Sequence, residues 1–497
     1  MEVLLESLSD VFQINTLIFI LIGVASGVAI GVLPGLTATM GVALLLPITF
    51  GMEPLSGILL LIGIYFGAVY GGSITAILLN TPGTPAAAAT AIDGYAMTQK
   101  GQAQKAITIA TLSTALGGII SVVILILLAP RIAGFALNFS APETFALALF
   151  GISIISSLTG KSFSKGIVAG LIGLLIATIG LDPIGGTQRF TFNNANLTQG
   201  LNLIPIMIGL FAAAEAFRSV ETLFSKTNIK VVIEKSKLKW NEFKGLINTI
   251  LRSAGIGTFV GMIPGTGADI TAFIAYNEAK RFSKDKSNFG KGELKGVSAP
   301  EAANSSLTGG AMIPMLTLGI PGDAVTAILL GALVVQGLQP GPMLFEQDGV
   351  LVYGLFIGML IANIVVLLLG IYGARIFTKI LLVPKAVLVP FILMLCTVGS
   401  FSLNNNYFDV MVMLVAGIIG YFMLKNDFPA SPLILGLILG PIMESNFRRA
   451  LIMSQGDFSV FLTRPITLVL LILAFITLFS PLLVKITKKY RKASTKA

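Results

Sequence analysis

Histidine is absent from all 497 residues, which removes the side chain most used as a general base near neutral pH and as a metal ligand. Cysteine occurs once, at Cys396 within an apolar stretch, so no intramolecular disulfide can form. Charge is scarce as well. Only 11% of positions are charged against 55% hydrophobic, a ratio that water could not solvate in a globular chain, so the bulk of the chain must sit in lipid. The first residues lack the basic start of a cleavable signal peptide and carry Glu2, Glu6 and Asp10 instead. No Walker-type phosphate loop is present, which argues against ATP as an energy source.

What is present is apolar and long. Leu17 to Val32, Ile58 to Leu79, Ile107 to Ala129, Leu351 to Gly373 and Ile466 to Val484 hold roughly 16 to 25 mostly apolar residues each, enough at about 1.5 Å per residue to cross or nearly cross a ~30 Å hydrocarbon layer. The runs are continuous and lack the alternation of a barrel strand, so they predict helices. The expected fold is an all-α polytopic membrane protein of roughly 11 to 15 membrane segments.

The net charge of +10 reads as cytoplasmic loops obeying the positive-inside rule, and nucleic acid is not an expected partner. Basic clusters at Lys100/Lys105, Lys161/Lys165, Arg218 to Arg252, Lys280 to Lys295, Arg375 to Lys385 and Lys485 to Lys496 are placed inside. Glu53, the stretch Phe192 to Thr198, Glu346 with Asp348, and Asn404 to Asn406 are placed outside, which puts the N-terminus outside and the C-terminus in the cytoplasm. Arg189 and the pair Arg448/Arg449 fit this scheme poorly, because they fall in expected outer loops. The stretch Trp240, Phe243, Leu246, Ile247, Ile250 and Leu251 has helical spacing beside Lys239, Lys244 and Arg252, and predicts an interfacial helix.

The chain repeats itself at a spacing of about 230 residues. In the first copy Gly31-Val-Leu-Pro34-Gly35-Leu-Thr37 is followed by Gly71-Gly72 and Asn80-Thr81-Pro82-Gly83-Thr84-Pro85. In the second copy Gly261-Met-Ile-Pro264-Gly265-Thr266-Gly267-Ala-Asp269 is followed by Gly309-Gly310 and Leu318-Gly319-Ile320-Pro321-Gly322-Asp323. Charges flanking the two copies have opposite sign at three matching places: acids before the first break against lysines, Glu53 against Lys280 to Lys295, and Lys100/Lys105 against Glu346/Asp348. Opposite charge at equivalent loops implies inverted-topology repeats with Pro-Gly-broken helices and hairpins. The implied units are residues 1–105 and 226–349 as the two repeat cores, with connecting helices at 106–225 and 350–497.

Proline removes a backbone donor and glycine relaxes the chain, so a helix is interrupted at each Pro-Gly pair. Unsatisfied backbone in hydrocarbon costs several kcal/mol per group, and such breaks survive only against protein or a wet cavity. Four matching breaks therefore predict one central polar site. A half-helix starting after a break offers free N–H groups and a partial positive charge suited to a carboxylate. Thr37, Thr39, Asn80, Thr81, Thr84, Thr266, Asn304, Ser305, Ser306 and Thr308 add neutral donors. Asp269 and Asp323 are the expected cation-coupling acids, through Na⁺ or an exchanged proton, and each also suits a helix N-cap; Asp93 is a lesser candidate.

The stretches PGTGADITAFIAYNEAKRFSKD, GVSAPEAANSSLTGGAMIPMLTLGIPGDAVTAILLGALVVQGLQPGP, GVLPGLTATMGVALLLPITFGMEP and YGGSITAILLNTPGTPAAAATAIDGYAM resemble the large membrane subunit, TctA type, of the tripartite tricarboxylate transporters. The likeness covers essentially the whole chain. It implies a secondary symporter in a bacterial inner membrane, working with a small four-helix membrane subunit and an extracytoplasmic solute-binding protein, driven by a cation gradient. It implies a citrate-like di- or tricarboxylate as the solute, without naming it, and no cofactor beyond Na⁺ as a coupling ion. It also implies a substrate site in the loops around Pro34, Pro82, Pro264 and Pro321: Pro34, Gly35 and Thr37; Asn80, Thr81, Pro82, Gly83 and Thr84; Pro264, Gly265, Thr266 and Gly267; Asn304 and Ser305; Pro321 and Gly322.

An intramembrane enzyme is the rival from another class. A Ser/His dyad is impossible without histidine, and Gly265-Thr266-Gly267-Ala268-Asp269 places its aspartate one residue late for a Gly-x-Gly-Asp protease. A gated anion channel built on the same inverted repeat is the alternative. Inversion itself has a direct test. In a background lacking Cys396, single cysteines at Glu53 and Ser283 should label from opposite sides of the membrane, and labelling of both from one side would rule it out.

Overall fold

The computed structural model describes residues 2–33, 35–158, 163–221, 236–264, 267–380 and 385–478. Pro34, Gly265, Thr266, the side chain of Asp269, Lys161, the side chains of Arg375 and Lys385, and the basic tail Lys485 to Lys496 lie outside the described residues.

The helices in chain order are α1 Glu2–Val11, α2 Ile14–Val32, α3 Ala38–Leu45, α4 Pro54–Leu79, α5 Ala87–Gln99 and α6 Ala103–Ala136. Then come α7 Ala141–Leu158, α8 Phe163–Ala177, α9 Ala195–Thr198, α10 Leu203–Met207 and α11 Ala214–Val220. The second half holds α12 Trp240–Lys244, α13 Ile247–Gly261, α14 Ala268–Arg281, α15 Leu294–Leu318, α16 Ala324–Val335 and α17 Pro342–Gln347. It closes with α18 Gly349–Ile380, α19 Lys385–Ser402, α20 Tyr407–Lys425, α21 Ser431–Met453 and α22 Val460–Thr463. Two-residue strands, β1 Gly180–Leu181 and β2 Gln188–Arg189, make one antiparallel hairpin. Among the described residues six helices are long and apolar enough to cross a membrane, and six more apolar helices are shorter. The chain is an all-α polytopic membrane protein.

The succession helix, break, half-helix, long helix, break, half-helix occurs twice, as α2 to α5 and as α13 to α16. Each long helix ends on a left-handed residue, Asn80 at φ 54° after α4 and Gly319 at φ 68° after α15. Small residues let the helices of each unit touch backbone to backbone. A Cβ on Gly23, Gly27 or Gly31 of α2 would lie within 2.3 Å of a carbonyl oxygen of α4, and one on Gly257 of α13 would lie 2.2 Å from the Ala303 oxygen of α15. Helices in lipid associate through such close packing, since apolar burial adds little between them. The result encloses α4 and α15 almost completely, so the middle of the molecule is protein rather than lipid.

Helix α4, about 39 Å long at 1.5 Å per residue, gives the depth scale. Glu53 precedes its first turn and shares a groove with Asp10, Glu346 and Asp348. Beside its last turns sit Thr98, whose hydroxyl donates to the Ile77 carbonyl at 2.7 Å, and Lys100, which donates to the Lys291 carbonyl. Acidic loops thus gather at one end of α4 and basic loops at the other.

The arginines that broke the charge scheme are neutralised in place. Arg189 grips Glu444 with two N–H groups at 2.7 and 3.2 Å, and Arg448 meets Asp182 at 2.6 Å. The Arg448 guanidinium holds the Asp182 carboxyl well below the usual carboxylate range. Two cations against two anions cancel, so Arg189 and Arg448 carry little orienting charge; Arg449 is exposed. The expected interfacial helix is two helices, α12 and α13, parted at Gly245 and Leu246, with Trp240 exposed and Ile250 buried.

Asp93 on α5 serves the fold. Its Oδ1 accepts the N–H groups of Gly290, Gly292 and Glu293 at 2.8 to 2.9 Å, and its Oδ2 accepts the Tyr276 hydroxyl at 2.9 Å. This docks the loop after α14 onto α5. Asp93→Ala strands these donors and should cost about 3 kcal/mol or more, read as a lower thermal midpoint and faster tryptic cleavage near Lys284 to Lys291. Asp93→Asn, which keeps an acceptor oxygen, should cost less.

Candidate functional site

Four half-helices begin at one place. A cavity of about 380 Å³ is lined by Thr37, Ala38 and Thr39 at the start of α3, and by Thr84, Pro85 and Ala86 leading into α5. Gly267 and Ala268 at the start of α14, and Asp323, Ala324 and Val325 at the start of α16, complete the ring. Asn304, Leu307 and Thr308 of α15 and Tyr65 and Val69 of α4 form its wall, with Ser431 and Leu435 closing one side. Tyr65 and Val69 fall near the middle of α4, so the cavity sits at mid-depth.

From there the half-helices diverge. Helix α3 and the 3₁₀ turn after it run toward Glu53, and α16 ends nearby, where the Gln336 side-chain amide donates to the Thr49 carbonyl at 2.9 Å. Helices α5 and α14 run to the basic end, joined through Tyr276 and Asp93. Every one of them points its N-terminus, the partly positive end of its dipole, at the cavity.

The donors there are only partly used. The Thr37 hydroxyl accepts from Met40 N–H at 3.2 Å, and Asp323 Oδ1 accepts from Thr326 N–H at 2.8 Å, which caps α3 and α16. Among the described residues, the N–H groups of Ala38, Thr39, Ala324 and Val325 find no acceptor. Two buried side-chain atoms in the wall, Thr84 Oγ1 and Asn304 Nδ2, also have no partner. Buried polar atoms are nearly always paired, so these two, on residues that line the cavity, call for an explanation. Among the described residues no lysine or arginine lines the cavity, and Asp323 is the one carboxylate there. Tyr65 donates its hydroxyl to Asp323 Oδ2, bridging the two copies.

Of the residues singled out in the sequence, Thr37, Thr39, Thr84, Gly267, Asn304, Thr308 and Asp323 come together here. Gly35, Asn80, Thr81, Pro82, Gly83, Pro264, Ser305, Pro321 and Gly322 are outside the lining. Asn80 is the C-cap of α4, and Thr81 and Pro82 are exposed. Gly83 donates to the Gly72 carbonyl at 3.2 Å where a Cβ would meet the Gly31 oxygen at 2.3 Å, so it lets the break pack closely. Gly322 abuts Ala311 in the same manner.

Sequence reasoning missed two features. Tyr65 lies in an unbroken apolar run and gave no signal. Glu301 did give one, as the single charge between Gly296 and Leu318. It is buried on α15 and accepts from Ser73 at 2.6 Å, from Thr90, and from Thr114 at 3.0 Å. A second, larger cleft of about 480 Å³ between α7, α8 and α21 is apolar apart from Ser153 and offers nothing to hold an anion.

The pattern of the family described as "Tripartite tricarboxylate transporter TctA family" matches residues 17–435. An Agrobacterium vitis protein described as "Uncharacterized 52.8 kDa protein in TAR-I ttuC' 3'region" is 38% identical over 479 residues, covering 96% of this chain and 95% of its own length. A second protein of that organism, described as "Uncharacterized protein in TAR-II ttuC' 3'region", is 38% identical over 233 residues, 47% of this chain and 96% of its own. No solved structure matches.

The Asp323 cap can be kept while its charge is removed, because asparagine caps helices as well as aspartate does. Asp323→Asn should insert in the membrane and keep its thermal midpoint while losing solute uptake. Wild-type uptake in that variant would leave Asp323 as a cap alone.

Proposed function

The chain belongs to the tripartite tricarboxylate transporter TctA family, and from that premise we propose that it is the large membrane subunit of a binding-protein-dependent carrier importing a citrate-like di- or tricarboxylate. In this reading the partners are a small four-helix membrane subunit and an extracytoplasmic solute-binding protein, the membrane is the bacterial inner one, and a Na⁺ or H⁺ gradient drives accumulation. The observation that carries it is the cavity: four half-helix N-termini around a space that has, among the described residues, orphaned polar atoms at Thr84 and Asn304 and no basic side chain.

Each N-terminus offers roughly half a positive charge. Together they attract a small carboxylate without a guanidinium that would have to be desolvated again at every release. Asp323 works in the opposite sense. An anion entering beside it needs a cation to balance the site, which gives a physical reason for coupled entry. Asp269, near the start of α14, is assigned to the same cation.

Residues 1–105 and 226–349 form the two repeat cores in this account, inverted with respect to each other. The placement of the Glu53 turn and the loop after α14 at opposite ends of α4 supports that assignment. The acidic end faces the binding protein, and the C-terminus is cytoplasmic.

Labelled citrate uptake into proteoliposomes holding this chain and its small partner tests the reading. Saturable accumulation that needs both the external binding protein and an inward cation gradient is the expected result. Unsaturable flux without the binding protein would show a channel instead.

A further inference from the structure

Glu301 is not part of the cavity wall. It lies one helical turn before Asn304 on α15, 1% exposed, inside a cage of three hydroxyls supplied by three other helices. Ser73 of α4 and Thr90 of α5 donate to Oε1, and Thr114 of α6 donates to Oε2. We propose that this group is a proton-loading site, a carboxyl that takes up one proton and gives it back in each transport cycle. The proposal rests on the transport reading above, but not on the assignment of Asp323.

The chemistry of the cage is the first argument. A carboxylate kept permanently ionised away from water is normally paired with a cation, because burying it alone is expensive. Among the described residues Glu301 has no ion pair. Its partners are all hydroxyls, which both donate and accept. On loading, an O–H bond forms on Glu301 and one hydroxyl turns from donor to acceptor; on release both changes reverse, with no heavy atom displaced. Asp93 makes the contrast clear, since three of its four donors are backbone N–H groups that can only donate.

Its surroundings leave this freedom intact. Tyr70 of α4 pairs with Thr111 at 2.8 Å, Tyr65 with Asp323, and Asp93 of α5 with Tyr276 of α14. Lys105, Arg131, Arg252, Lys280, Arg281 and Lys295, the cations of α6, α13, α14 and α15, make no ion pair with Glu301; Lys105 pairs with Glu242 and Arg281 with Glu278. Glu346 of α17 belongs to the acidic groove beside Glu53. The distances also favour a proton over Na⁺. Separations of 2.6 and 3.0 Å are direct hydrogen bonds, which leave no room for a metal ion between the oxygens.

The location is the second argument. The cage joins Ser73 and Thr90 of the first copy to Glu301 of the second, and Ser73 follows Gly72, where an added Cβ would meet the Thr84 side chain at 2.9 Å. A change from −1 to neutral on Glu301 therefore alters the bonds between the two units right behind the orphaned groups of the cavity.

Two measurements decide it. In the purified full chain, the infrared difference between wild type and Glu301→Gln should contain one carboxylic-acid carbonyl band that fades as pH rises. In Thr114→Val, which removes a donor to the ionised form, its midpoint should move up by about one pH unit. No such band at any pH, or an unmoved midpoint, overturns the proposal. In proteoliposomes with both partners, labelled-citrate uptake driven by a proton gradient should be lost in Glu301→Gln while citrate counterflow at equal pH persists. Retained gradient-driven uptake overturns it, as does loss of counterflow in a normally folded variant. Failure of wild-type counterflow would count against the transport reading, and the infrared band would still report on Glu301.

Discussion

An interrupted helix cannot leave its backbone bare in hydrocarbon, and this constraint organises the molecule. Four interruptions would be four separate costs if they lay apart. Gathered around one cavity at the middle of α4, they share a single protein-lined space. The gathering depends on glycine. Gly23, Gly27 and Gly31 bring α2 against α4, Gly257 and Gly261 bring α13 against α15, and Gly83 and Gly322 seat the second breaks. A larger residue at these contacts would push the half-helices apart and let lipid or water reach their ends.

The same arrangement fixes the electrostatics. Partial charges at helix ends are held by the backbone and need no counter-ion, so they favour an anion in the cavity without a lysine or arginine among its described lining residues. Asp323 and Tyr65 tie the start of α16 to the middle of α4 and place a carboxylate within that field. The half-helices leave the site in opposite pairs, α3 with α16 and α5 with α14, so the site touches both ends of the molecule through rigid elements. Asp93 and the loop it holds secure the second pair at the basic end.

Much of the site was legible because its residue types are rare in lipid. Thr84 and Asp323 stand out by polarity beside Pro-Gly breaks and Asn304 by polarity inside a long helix, and all three reach the cavity. Asn80, Thr81 and Pro82 stood out equally, yet they are the C-cap and turn of α4, since a break has an outgoing end as well as an incoming one. Only the half-helix that starts after the break points donors at the site. Arg189 and Arg448 contradicted the charge rule because that rule counts charges singly, whereas folding pairs them with Glu444 and Asp182.

By itself the sequence determined the membrane class, the helical architecture and the repeated breaks, because these follow from hydropathy and local backbone chemistry, which need no partner in space, and its motifs carried the resemblance to the family. Tertiary structure alone decided that α3, α5, α14 and α16 meet at one cavity, that Tyr65 bridges to Asp323, and that Ser73, Thr90 and Thr114 enclose Glu301. The side-chain contacts among these join residues 187 to 258 positions apart, and no local preference encodes which face of one helix will meet which face of another.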